Sequence, residues 1–146
     1  LQPFVDDGHS PHAEGSATRV KQLEMYGGTD KAYELAKKHR VKLAWGTDLL
    51  FSAANARQQS AKLAMMTRWF TPAQVLSMAT ADNAALLALS GARSPYPGAL
   101  GVVKEGALAD LLLVDGDPLK NLGLLAEPDK NLLLIVKDGR IHKRSL

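Results

Sequence analysis

Few residues in this chain have the type and setting to do chemistry, and Asp48 is foremost among them. It ends the stretch Val41-Lys42-Leu43-Ala44-Trp45-Gly46-Thr47-Asp48. Val41, Leu43 and Trp45 alternate with Lys42 and Ala44, so residues 41–46 read as a short strand. Gly46, without a Cβ, suits a sharp exit from that strand. A carboxylate at that point lies at the strand's carboxyl end. In a parallel α/β sheet or barrel, this is the end that carries ligands and chemistry. Taken alone, Asp48 reads more simply as the cap of the following helix; the downstream sequence reverses that preference.

The other polar candidates are weaker. His9 and His12 stand near Asp6, Asp7 and Glu14 in a segment rich in turn formers. Pro11 disfavours helix at Ser10, and on a strand the two histidines would face opposite sides. They read as loop histidines. His39 falls at a helix end and His142 in a terminal hairpin. Arg57 and the loop around Asp6, Asp7 and His9 could touch a substrate but read as solvated surface. With no cysteine among 146 residues, disulfides, thiolate metal sites and a cysteine nucleophile are excluded.

The elements that must position Asp48 follow from periodicity. Ala17 to Tyr26 predicts a helix ended by Gly27-Gly28, with a second beginning at Thr29-Asp30. Its apolar stripe is Ala32, Tyr33, Leu35 and Ala36, and Lys37 to Arg40 form a basic last turn. The strand follows at once, as in a βα repeat. Ala53 to Phe70 predicts a helix with Leu63, Met66 and Phe70 inward. Thr71-Pro72-Ala73-Gln74 carries a capping box with proline at the first helical position. A restart is predicted at Thr80-Ala81-Asp82-Asn83. Glycines and prolines over 91–106 mark the best boundary in the chain. Beyond it, Ala109 to Asp115 reads as a buried strand, and Leu119 to Leu125 as a short helical turn. Leu132 to Lys143 reads as a hairpin about Asp138-Gly139.

In order, these motifs resemble the metal-dependent amidohydrolase superfamily, and are most similar to its imidazolonepropionase-like and Xaa-Pro or Xaa-Arg dipeptidase-like members. Gly46-Thr47-Asp48 resembles the end of the eighth barrel strand. Thr71-Pro72-Ala73-Gln74 through Ala85 resembles the helices after it. Gly101 to Leu119, containing Ala-Asp-Leu-Leu-Leu-Val-Asp-Gly-Asp-Pro-Leu, resembles the return to a small β-sandwich, and Ile135 to Ile141 its last hairpin. The likeness covers roughly the last hundred residues. It implies an α/β fold: the C-terminal remnant of a (β/α)8 barrel over 1–92, then sandwich strands over 93–146.

The resemblance also implies a role for Asp48. The matching aspartate in the family binds a divalent metal, with zinc expected. It takes a proton from the metal-activated water that attacks a C–N bond in a small-molecule substrate such as an amide, cyclic amide or dipeptide. The family's remaining ligands are a His-x-His pair, a lysine or glutamate, and two later histidines. None of His9, His12, His39 and His142 matches them. A catalytic zinc takes about three protein ligands, and a full barrel takes about 250 residues. The chain opens on Leu1 and reads as the interior of a longer polypeptide. The expectation is a piece of a metal-dependent hydrolase, inactive by itself and holding no metal tightly. The alternative is an assembly or binding module retaining only the scaffold.

Net charge is +3, without a basic stripe interleaved with aromatics, which argues against nucleic acid. No apolar run approaches the ~20 residues of a membrane span. A soluble chain, cytoplasmic or periplasmic, is expected. Self-association is also expected, through apolar surface that the rest of a barrel would cover.

Overall fold

The structure, a computed structural model, describes residues 10–49 and 53–146. His9, Asp6, Asp7 and the connector at 50–52 lie outside the described residues. The chain is α/β: helices followed by a small three-stranded antiparallel sheet.

Helix α1 runs from Ala17 to Lys38 without interruption. Ser16 caps it, its hydroxyl accepting from the Arg19 N–H at 3.2 Å. The predicted break at Gly27-Gly28 does not occur. Both glycines are exposed with helical backbone, and Thr29 behind them is buried, its hydroxyl donating to the Met25 carbonyl at 3.0 Å. Two glycines weaken a helix by about 1 kcal/mol each, which the packing of Tyr33 two turns on outweighs. Tyr33 is 1% exposed. Its ring meets Trp69 and Phe70 edge-on, with centroids 4.7 and 5.4 Å away, and burial pushes its phenol up to about 12.

Residues 41–46 form neither helix nor strand and belong to no sheet among the described residues. The predicted strand therefore lacks its ladder. A strand needs a neighbour to satisfy its peptide groups, and the only sheet described lies elsewhere. The predicted helix over 53–70 is likewise broken, into α2 (Ala53–Ala56), α3 (Gln59–Met65) and a 3₁₀ turn at Met66–Arg68.

The capping box forms as read. Thr71 Oγ1 accepts from the Gln74 N–H at 3.3 Å and Gln74 Oε1 accepts from the Thr71 N–H at 2.9 Å, starting α4 (Pro72–Ala79). Helix α5 (Ala81–Ala88) follows after one residue. Thr80 does not cap it; its hydroxyl instead donates back to the Leu76 carbonyl at 2.6 Å.

Strand β1 spans Leu111–Val114, shorter than predicted and more exposed than its apolar run suggested. A 3₁₀ turn at Leu122–Ala126 and helix α6 (Pro128–Asn131) lead to β2 (Leu132–Lys137) and β3 (Arg140–Arg144). The sheet order is β1-β2-β3. Asp138 and Gly139 both take positive φ, 50° and 71°, as a two-residue hairpin turn demands. Lys137 pairs with Asp110, and the Asp138 N–H donates to Asp110 at 2.7 Å, tying the hairpin to the segment before β1. The Lys137 ammonium and the Asp138 N–H hold the Asp110 carboxyl below the usual carboxylate range.

One core joins both ends of the chain. Tyr33, Leu63, Met66, Phe70, Val75 and Met78 pack with Leu122, Leu125 and Leu132, and α3 lies against the 3₁₀ turn at Leu122–Ala126.

Candidate functional site

The segment carrying Asp48 is held from one side by the helices that follow it. Leu43 and Trp45 pack against the core. The peptide groups of Trp45 are bracketed by one side chain. The Trp45 N–H donates to Asn83 Oδ1 at 2.9 Å, and Asn83 Nδ2 donates to the Trp45 carbonyl at 3.0 Å. The Met78 carbonyl shares the Trp45 N–H at 3.3 Å. The Trp45 indole N–H is buried and has no hydrogen-bond partner.

Two residues on, Thr47 is buried at 7% exposure, its hydroxyl 3.5 Å from Gln59 Oε1 at the start of α3. Asp48 then turns out into solvent with φ of 50°, a left-handed conformation that a non-glycine residue adopts at a cost. The tethered run at 41–47 thus leads to an exposed carboxylate.

The other sequence candidates do not converge on it. His12 is exposed, its backbone N–H bonded to the Ser10 hydroxyl. His39 is the C-cap of α1 and His142 lies in β3. Arg57 is exposed. Among the described residues no three His, Cys, Asp or Glu side chains come together as a metal site would require. Among the described residues the donors do not fit a catalytic metal centre: one carboxylate falls short of the roughly three protein ligands that zinc takes. Among the described residues no helix is long and apolar enough to cross a membrane.

Asn83 was read in the sequence only as part of a helix start. Its signal is a carboxamide amid the small and apolar residues of α5. Lys37, read as part of a solvated helix end, also has partners: its ammonium donates to the Trp69 carbonyl at 3.0 Å and lies 5.4 Å from the Phe70 ring centre.

No family model matches the chain, and no curated protein matches it. Solved structures do. An amidohydrolase matches at a TM-score of 0.79 and 29% identity, covering 99% of this chain and 34% of its own. A prolidase, solved with N-methylphosphonate-L-proline, matches at 0.71 and 26%, covering 86% of this chain and 28% of its own. The ochratoxinase of A. niger shares the fold at 0.72 and 22%, over 90% of this chain and 28% of its own. These structural neighbours, an amidohydrolase, a prolidase and an ochratoxinase, match most of this chain's length, and this chain spans only about 30% of theirs.

Proposed function

We propose that this chain serves as part of a metal-dependent hydrolase acting on C–N bonds, with Asp48 as the carboxylate it contributes to the reacting centre. The observation that carries this reading is the match to an amidohydrolase over 99% of this chain but 34% of that one. The exposed position of Asp48, at the end of a run fixed by helices behind it, agrees with the role. In this reading 1–92 forms the last βα units of a barrel and 93–146 forms strands of a small β-sandwich. The remaining donors and the substrate pocket, for an amide, cyclic amide or dipeptide, belong to polypeptide beyond these residues. The 146 residues alone are then inactive.

The test is metal analysis of the purified chain with a hydrolysis screen on dipeptides and cyclic amides. The expected result is substoichiometric metal and no turnover above the uncatalysed rate. Stoichiometric, tightly held zinc with turnover abolished by Asp48→Asn would overturn the reading of an incomplete centre.

Association of the chain with itself is part of the same proposal. Leu89 and Val103 are 82% and 87% exposed. A groove of about 730 Å³ runs between the segment at 41–44, the end of α1, and helices α4 and α5. Apolar surface of this kind favours burial against a neighbour.

A further inference from the structure

We propose that Asn83 is the positioning residue of the Asp48 segment, its carboxamide standing in for a neighbouring strand. The inference rests on the reading of Asp48 as a functional carboxylate for its purpose, though not for its geometry.

A β-strand residue in a hydrogen-bonded antiparallel pair gives its N–H to, and takes an N–H from, one partner residue. Asn83 supplies that pair from a side chain: Oδ1 takes the Trp45 N–H at 2.9 Å and Nδ2 gives to the Trp45 carbonyl at 3.0 Å. A primary carboxamide is the uncharged side-chain group that offers a donor and an acceptor side by side in this way, and only one orientation of the amide satisfies both bonds. Among the described residues, the run at 41–46 has no ladder of its own. The clamp therefore sets both the depth and the rotation of the chain at Trp45. Three residues of extended chain reach at most about 10 Å, so Asp48 has little freedom once Trp45 is fixed and Thr47 is buried.

The clamp is itself braced. Asn83 lies in the first turn of α5, three residues after Thr80 at the junction with α4. The backbone at Gly101 presses on that junction so closely that a Cβ there would lie 2.4 Å from the Thr80 carbonyl oxygen. The path runs from the loop before β1 through the α4–α5 junction to Asn83, Trp45 and Asp48.

Residue-resolved amide exchange on the full chain tests this with Asn83→Ala and Asn83→Asp. In Asn83→Ala, exchange at Trp45 and Thr47 is expected to quicken roughly tenfold, the loss of about one to two net hydrogen bonds, while Val75 and Met78 in α4 keep their protection. In Asn83→Asp an ionised carboxylate retains the acceptor and loses the donor. Protection at Trp45 is then expected to be partial near neutral pH and to recover as acid restores an O–H donor. A residue that merely packs α5 shows no such pH dependence. Exchange at Trp45 within twofold of the parent in both variants, or equal acceleration throughout α4 and α5, would overturn the proposal. Should the alanine variant unfold, the pH response of the aspartate variant decides. The readout requires neither metal nor turnover, so it fails separately from the hydrolase reading.

Discussion

At Gly101 a single hydrogen atom in place of a methyl group determines how closely two parts of the chain approach. Its φ is +68°, and a Cβ would sit 2.4, 2.5 and 2.8 Å from backbone atoms of Thr80 and Ala81. None of these is the end of a flexible side chain, so the backbone itself must shift. Gly101→Ala is expected to cost roughly 2–4 kcal/mol, combining overpacking with a left-handed alanine, as measured by urea unfolding. Gly106→Ala is the control: its φ is +79° but nothing lies within 4 Å, so it bears only the conformational cost, about 1 kcal/mol. Equal losses in the two would mean that the close approach carries no energy. At this scale the sequence was partly legible. The sequence singles out Asp48 as a candidate by its place after an apolar alternation, which is local information. It does not single out the Asn83 clamp, since that joins residues 38 apart in sequence, and no spacing rule connects an α5 carboxamide to a peptide group that far upstream.

Elements with local causes were the ones the sequence revealed. The Thr71–Gln74 box and the Asp138-Gly139 turn each depend on residues within four positions, and both form. Elements that depend on distant neighbours came out differently. The run at 41–46 has strand alternation without a strand, because no neighbour among the described residues supplies a ladder. Helix α1 passes through Gly27-Gly28 because burial of Thr29 and Tyr33 holds the following turns in line. That continuity makes the glycines a weakness that substitution can remove. Both are exposed, with open space where a Cβ would go. Gly27→Ala and Gly28→Ala are each expected to raise stability by about 0.5–1 kcal/mol, through backbone entropy in the unfolded chain and helix propensity. Thermal unfolding followed by circular dichroism would register the gain. A loss of stability in both would show that the helix is bent or interrupted there after all.

Across the whole molecule, what faces solvent is as informative as what is buried. Among the described residues the sheet has two open edges of unlike character. The outer strand β3 carries Arg140, Lys143 and Arg144 beside one exposed Ile141, charges of the kind that deter edge-to-edge pairing, whereas β1 carries Leu111, Leu112 and Leu113 at 39%, 57% and 44% exposure. On the helical side, Val41, Leu86 and Leu89 are 55%, 55% and 82% exposed beside the groove. A chain that folds with one buried core yet leaves these surfaces open has two separate places to meet a neighbour. Sedimentation velocity over a hundredfold range of concentration is expected to show association that grows with concentration. Leu112→Lys should weaken it if the β1 edge is used, and Leu89→Lys if the helical groove is used. Neither residue belongs to the buried core, so each variant should keep the parent's unfolding free energy within about 0.5 kcal/mol, as surface substitutions do. A monomer at every concentration would refute self-association. Association unchanged in the double variant would place the contact on some other surface.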